Sequence, residues 1–398
     1  MRPGSTSTRH EIRSLTAIRF FAAIAVVLYH YGQYTFAGAP SWVRTAVASG
    51  YLGVTLFFIL SGFILVYVSN GVDLAAPRER RGFFVRRFAR IYPMYMLAWV
   101  LVAALFLHYW VTHSAGLAYP AKVVAIYGTL SALLLQSWIP TAAPVWNAPA
   151  WSLSVEALFY AIFPFVYVTT ARSRPRKLWI GLVTLFVVNG LVIGILNSPF
   201  AQATIAAGSS FSVTWQGFLG DFPPLRLPEF LMGMAIGHLY VGGAIPRRFV
   251  RFSRIVLAVT VLCIIALMAT PAERFPFVHR DAWFAPLFCC LILTLAIRAN
   301  RGTSPNPSIR RVADVLVLLG AASYSTYILQ NPLARFWTNA TGIDRTHMNV
   351  IQLVVFVLLM LAISVLAYKC FERPAERWLK RRLDSGRIAL PPVSAART

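Results

Sequence analysis

Residues 15–33 read LTAIRFFAAIAVVLYHYGQ, and in this stretch Arg19 and His30 bracket an uninterrupted run of apolar and aromatic residues. A soluble amphipathic helix keeps its charged groups on one wet face, and this segment has none. Its length is what an α-helix needs to cross ~30 Å of hydrocarbon, about 20 residues. Comparable runs recur at roughly 51–70, 88–110, 123–139, 150–170, 178–197, 226–244, 254–270, 282–299, 312–331 and 349–371. Of the 398 residues, 58% are apolar and only 13% charged, with a mean hydropathy of +0.64. Soluble globular chains sit near about 45–50% and about 25% respectively. The composition therefore defines an all-α, polytopic membrane protein. Runs without alternation exclude a β-barrel, and the apolar content excludes disorder.

A formal net charge of +24 would point to nucleic acid in a soluble protein. Here the basic residues gather before the first run, between Arg78 and Arg90, at 172–177, at 247–254, at 298–311 and from Lys369 onward. Cytoplasmic loops of membrane proteins concentrate Lys and Arg, so the charge reports orientation in a lipid bilayer and no nucleic-acid partner is expected. Eleven crossings would scatter the basic loops over both sides. About ten crossings, with a re-entrant element near 123–150, bring every basic loop and both termini to the cytoplasmic side. The expected organisation is a tail at 1–14, a transmembrane domain at 15–371 and a basic tail at 372–398. The first run is longer than a signal-peptide core and lacks a small-residue cleavage site. Nearly all the basic residues are arginine, which favours a GC-rich bacterial coding sequence. The expected location is the bacterial cytoplasmic (inner) membrane.

Cys263, Cys289, Cys290 and Cys370 lie in or beside apolar runs and read as small hydrophobes, so no disulfide framework and no metal site is expected. Arg19 and His30 are eleven residues apart, three helical turns plus about 20°, which sets them on one face ~16.5 Å apart along the axis. Ionisable groups at membrane depth normally face a protein interior or a cavity. Arg19 alone can snorkel to the surface. The pair on one face favours a shared polar channel.

Further along stand GYLGVTLFFILSGFIL (50–65), RGFFVRRFARIYPMY (81–95), WNAPAWSLSVEALFY (146–160), RLPEFLMGMAIG (226–237), SYSTYILQNPL (323–333) and FERP (371–374). With the Arg19–His30 spacing, these segments in this order resemble the acyltransferase 3 family of integral-membrane acyltransferases. Gln330 stands where members of that family often have histidine. The resemblance implies transfer of an acyl group, often acetyl, to a hydroxyl of a sugar-containing acceptor such as an envelope glycan or a macrolide glycoside. The implied co-substrate is acyl-CoA, most simply acetyl-CoA, with no permanently bound cofactor.

Acyl-CoA is multiply phosphorylated, and Arg86, Arg87 and Arg90 offer it a cationic cradle, guanidinium being well matched to phosphate. The positive-inside rule explains basic residues there too, though not their packing against IYPMY. His30 is the expected general base, because a sugar hydroxyl needs a proton acceptor and imidazole titrates in the right range. Glu156 can orient that imidazole, bind the acceptor, or pair with Arg19. Trp146, Trp151 and Tyr324 are candidates for acceptor binding, though interfacial aromatic belts and core packing use the same residue types. Two other classes fit the same polar residues. A transporter or flippase would use Arg19, His30 and Glu156 as a polar path, and a scaffold would use them to fix helix packing.

Overall fold

The computed structural model describes residues 11–112, 120–139, 141–196, 219–271, 280–299 and 306–384. Its regular elements are all helical. They run α1 (Arg13–Thr35), α2 (Ser41–Ala48), α3 (Leu52–Ser69), α4 (Pro77–Thr112), α5 (Ala121–Ala132), α6 (Trp151–Thr170) and α7 (Pro175–Leu196). Then follow α8 (Pro223–Val241), α9 (Arg247–Arg251), α10 (Ser253–Met268), α11 (Arg280–Ala299) and α12 (Pro307–Ala321). The last are α13 (Ser323–Thr341), α14 (Val350–Ala367) and α15 (Arg373–Asp384).

Six helices are long and apolar enough to cross a bilayer: α1, α3, α4, α6, α7, and α14 with its continuation into α15. A seventh is counted if α12 and α13, which meet at 58°, form one broken span. The protein is thus a multi-pass helical membrane protein, with fewer unambiguous spans than the ten expected. The shortfall has a local cause. α10 and the described apolar part of α11 are short, and α8 dilutes its apolar run with the polar RLPE start and a histidine.

Helices α3 and α8 form the tightest seam. A Cβ on Gly62 would lie 2.1 Å from the Phe230 carbonyl oxygen, and one on Gly233 would lie 2.0 Å from that of Ile59. Only hydrogen fits at either position, so the two backbones touch, the close approach that small residues allow between membrane helices. Beside this seam Phe58 meets Phe159 edge to face with centroids 5.1 Å apart, and Phe159 stacks on Phe230 at 4.5 Å.

The chain between α4 and α6 takes an unusual course. α5 has 12 residues, about 18 Å of helix, which is too short for a crossing. It lies antiparallel to the middle of α4. Trp99 Nε1 donates to the Gly128 carbonyl at 2.9 Å, Tyr95 to that of Ser131 at 2.6 Å, and Tyr92 to that of Ala132 at 3.1 Å. The chain then reverses through Leu134, at φ 59°. Gln136 and Ser137 donate to the carbonyls of Ala150 and Trp151. By Trp146 it is back beside Trp99, with the two indoles stacked at 4.9 Å. This excursion is also tied to α13. Pro332 has no N–H, which frees the Ile328 carbonyl, and Asn147 Nδ2 donates to it at 3.0 Å.

Candidate active site

The structure brings Arg19, Arg87, Arg90, Glu156 and Tyr324 to one cavity of about 150 Å³, together with Ser61, Ser152, Tyr160 and Tyr327. Each helix contributes for a local reason. α1 carries Arg19 on an otherwise apolar surface. α4 carries Arg87 and Arg90 at i and i+3, hence on one face. α6 carries Glu156 and Tyr160 at i and i+4, and the Tyr160 hydroxyl donates to Glu156. Across the cavity, the Ser61 hydroxyl donates to the same carboxylate oxygen at 3.3 Å. Small residues around Ser61, needed for the α3–α8 seam, leave room for that contact.

The three guanidiniums are held differently. Arg90 Nη1 donates to Glu372 at 2.7 Å. Arg87 lies over the rings of Phe83 and Tyr160, at 5.8 Å and 6.0 Å from their centroids. The Nε atoms of Arg19 and Arg87 are buried without a hydrogen-bond partner. Arg19 lies in electrostatic range of Arg90, Glu156, Tyr160 and Glu372. With three cations and one carboxylate in its wall, the cavity is complementary to an anion.

His30 lines neither this cavity nor the second one on α1. α1 passes out of contact with it above Ala22 and Val26, where the helix packs on Gly53 of α3. The imidazole stands by Tyr29 and Tyr31, with ring centroids 5.0 Å and 6.1 Å away, and within electrostatic range of Arg345. Tyr31 and Arg345 belong to a second cavity, of about 820 Å³, at the Thr35 end of α1. Asn331, Arg335, Thr338, Phe106 and Tyr109 also face it. The two cavities come nearest along α13. Tyr327 lines the first and Asn331 the second, one helical turn apart, with the fully buried Gln330 between them. At this partition Ser152 donates to the Tyr327 hydroxyl at 2.8 Å, and that hydroxyl donates to the Pro149 carbonyl at 2.7 Å.

The remaining sequence candidates fall as follows. Arg86 is not in the wall of either cavity. Trp146 is buried against Trp99 and donates to its carbonyl at 3.2 Å. Trp151 carries Arg226 over its ring at 5.7 Å and lines neither cavity. Tyr324 lines the first cavity while its hydroxyl donates to the Ile91 carbonyl at 2.8 Å. Arg226 and Glu229 form an i, i+3 pair at 3.1 Å. His238 packs on Tyr167 and shares a hydrogen bond with Thr170 at 3.0 Å. Sequence reasoning missed Tyr160, whose only signal was its i+4 spacing from Glu156. It also missed Ser325, which donates to Glu372 at 2.5 Å and leaves no trace in local sequence.

Among the described residues no cluster of His, Cys, Asp or Glu could hold a metal ion. What remains is a helical membrane protein with a cationic cavity among its helices. The pattern of the acyltransferase 3 family, described as an acyltransferase domain, matches residues 12–369, and the chain belongs to that family. It is 31% identical to the acyltransferase MdmB of Streptomyces mycarofaciens over 57% of this chain and 57% of that protein. It is 23% identical to the peptidoglycan O-acetyltransferase OatA of Listeria monocytogenes over 93% of this chain and 56% of that one. The exopolysaccharide production protein ExoZ of Rhizobium meliloti is 28% identical over 70% of this chain and 75% of its own length. The chain thus spans a little over half the length of the first two relatives. No solved structure gives a significant match.

Proposed function

We propose that this protein is a membrane-embedded O-acyltransferase of the bacterial cytoplasmic membrane. It takes acyl-CoA, most simply acetyl-CoA, from the cytoplasmic side and passes the acyl group to a hydroxyl of a sugar-containing acceptor. Family membership and the glycan-related names of two relatives support the reaction class. The single observation that carries the donor site is the cavity in which Arg19, Arg87 and Arg90 face Glu156. In this reading α8, α10 and α11 complete the seven apolar spans to about ten crossings. α5 and its return then form the re-entrant element, and both termini are cytoplasmic.

The donor's phosphates meet Arg87 and Arg90, and the pantetheine arm enters beside Arg19. The acceptor occupies the larger cavity, whose aromatic and polar wall suits a glycoside. The acceptor oxygen attacks the thioester carbon, an O–C bond forms, the C–S bond breaks and coenzyme A leaves as the thiol. His30, next in sequence to Tyr31 in the wall of the larger cavity, takes the hydroxyl proton and passes it to the leaving thiolate. This requires the acyl end to pass the Tyr327–Gln330 partition when the donor binds.

A second reading has a specific observation behind it. Glu156 shares a cavity with Arg19 and Arg87, whereas His30 does not. Glu156 would then be the proton acceptor, and transfer would occur within the smaller cavity. Labelled acetyl-CoA offered to the reconstituted protein with envelope glycan or a macrolide glycoside separates the cases. Ester-linked label on the sugar, lost in His30→Ala and retained in Glu156→Gln, supports the first reading. The opposite pattern supports the second. Movement of acceptor without covalent change would mean a transporter or flippase instead.

A further inference from the structure

The last span does not run straight into its basic tail. Between α14 and α15 the helix widens into a π turn over Tyr368–Glu372. A π turn takes about one residue more than an α turn, and each residue is worth about 100° around the axis. Residues beyond it are therefore rotated relative to an uninterrupted helix. Glu372 is thereby turned into the protein, where it is 1% exposed.

There it joins three elements. One carboxylate oxygen accepts from Arg90 Nη1 of α4 at 2.7 Å, and the other from the Ser325 hydroxyl of α13 at 2.5 Å. Glu376, one turn further along α15, draws on the same Nη1 at 3.5 Å while accepting from Lys380 at 2.6 Å. Arg90 lines the cationic cavity, whereas Glu372 and Glu376 stand behind its wall. A guanidinium is a planar fork that can grip an anion through two adjacent nitrogens. Both carboxylates engage the same nitrogen, so the Nε–Nη2 edge is left for the cavity.

We infer that Glu372 is a positioning residue for donor binding. Carried by the π turn and braced by Ser325, it pins Arg90 through Nη1 and turns the other edge of the fork toward the donor's phosphate. This rests on the donor site proposed above and adds the C-terminal end of the last span to it. A carboxylate that merely neutralised a buried arginine would protect stability alone. One that aims the fork also sets donor affinity in protein that is already folded.

The test is equilibrium binding of acetyl-CoA to the full-length protein in detergent, with thermal midpoints recorded alongside. Glu372→Gln is expected to raise the acetyl-CoA Kd about tenfold in the folded fraction, roughly one charge-assisted contact. Glu372→Asp, which keeps the charge, should recover part of the loss. Combined with Arg90→Ala, Glu372→Gln should add no further loss, because both act through one guanidinium. If Glu372→Gln yields no folded protein, Ser325→Ala removes the brace alone and should raise the Kd about threefold. Unchanged affinity in whichever of these two variants folds, with Arg90→Ala still weakening acetyl-CoA, overturns the positioning role only. Unchanged affinity in Arg90→Ala and Arg87→Ala overturns the donor site itself.

Discussion

The two ends of α1 differ more than its sequence pattern implies. At Arg19 the helix faces a small cavity between α3, α4, α6 and α13, where Glu156 accepts from Ser61 and Tyr160 while two guanidinium Nε atoms are left without a partner. One residue past His30, Tyr31 lines a cavity more than five times larger, where Arg335 lies over the Phe106 ring. In the proposed reading, one end holds a defined anion in a fixed geometry and the other admits something bulkier. That division matches a donor of constant structure and an acceptor that varies across a family.

The largest effect expected from breaking this comparison is at His30. His30→Ala should lower the rate of acetyl transfer by about 10²–10⁴, the usual contribution of a general base, while leaving the acetyl-CoA Kd unchanged. Measuring both in one preparation separates chemistry from donor binding. Transfer that persists at the wild-type rate would show that the wide end of α1 only admits the acceptor.

Next comes the donor end. Arg87→Ala removes a cation whose buried Nε has no other hydrogen-bond partner. A charge-assisted hydrogen bond is worth ~1.5–3 kcal/mol, so the acetyl-CoA Kd should rise about 10–100-fold. Arg86→Ala, from outside the cavity wall, should change it less than about threefold. Equal losses in the two variants would mean that the loop attracts the donor through general charge rather than through the cavity.

The small cavity also depends on its closed seam. Gly62→Ala drives a methyl group into the Phe230 carbonyl, a collision that only a shift of α3 against α8 relieves. Overpacking of this kind costs about 1–3 kcal/mol, read as a lower thermal midpoint in detergent. Because Ser61 rides on the same turn, its contact with Glu156 should loosen and donor affinity fall in step. Gly181→Ala, where no atom lies within 4 Å of the added carbon, should leave both unchanged. Destabilisation with unaltered donor affinity would detach the seam from the site.

Some of this was legible in the sequence because the signals were local. The helical class followed from run length, Glu156 from a carboxylate inside an apolar run, and Arg87 with Arg90 from an arginine cluster against IYPMY that also included Arg86, which the cavity wall leaves out. The separation of Arg19 from His30 was not legible. Their common face is a property of α1 alone, but which cavity each end meets is decided by α3 and α13. Equally hidden was the Arg90–Glu372 pair, whose members are 282 residues apart in the chain. Nothing near FERP records a π turn. Run length alone did not separate the long apolar helices from the short α10 and α11, because a hydropathy window does not register where a helix stops.

The smallest expected effect concerns the wide end, and it serves as a control on the largest. Asp344 sits at the rim of the large cavity, outside the spans, where a titrating carboxyl would alter the charge met by an acceptor. Hydrogen bonds from the Thr346 hydroxyl, from His347 Nδ1 and from the Thr346 amide hold its carboxyl down to about 2. A carboxyl depressed below its unfolded value adds stability above about pH 4 and loses it as the pH falls toward 2. Between about pH 5 and pH 8 it stays ionised, so it cannot shape a rate profile measured there. Asp344→Asn should therefore leave the pH dependence of acetyl transfer unchanged in that window, and should lower thermal stability slightly above about pH 4, a difference that vanishes as the pH falls toward 2. If the substitution abolished an inflection between about pH 5 and pH 8, the group that takes the hydroxyl proton would belong to the acceptor-side rim. The division of labour along α1 would then have to be redrawn around the loop rather than the helix.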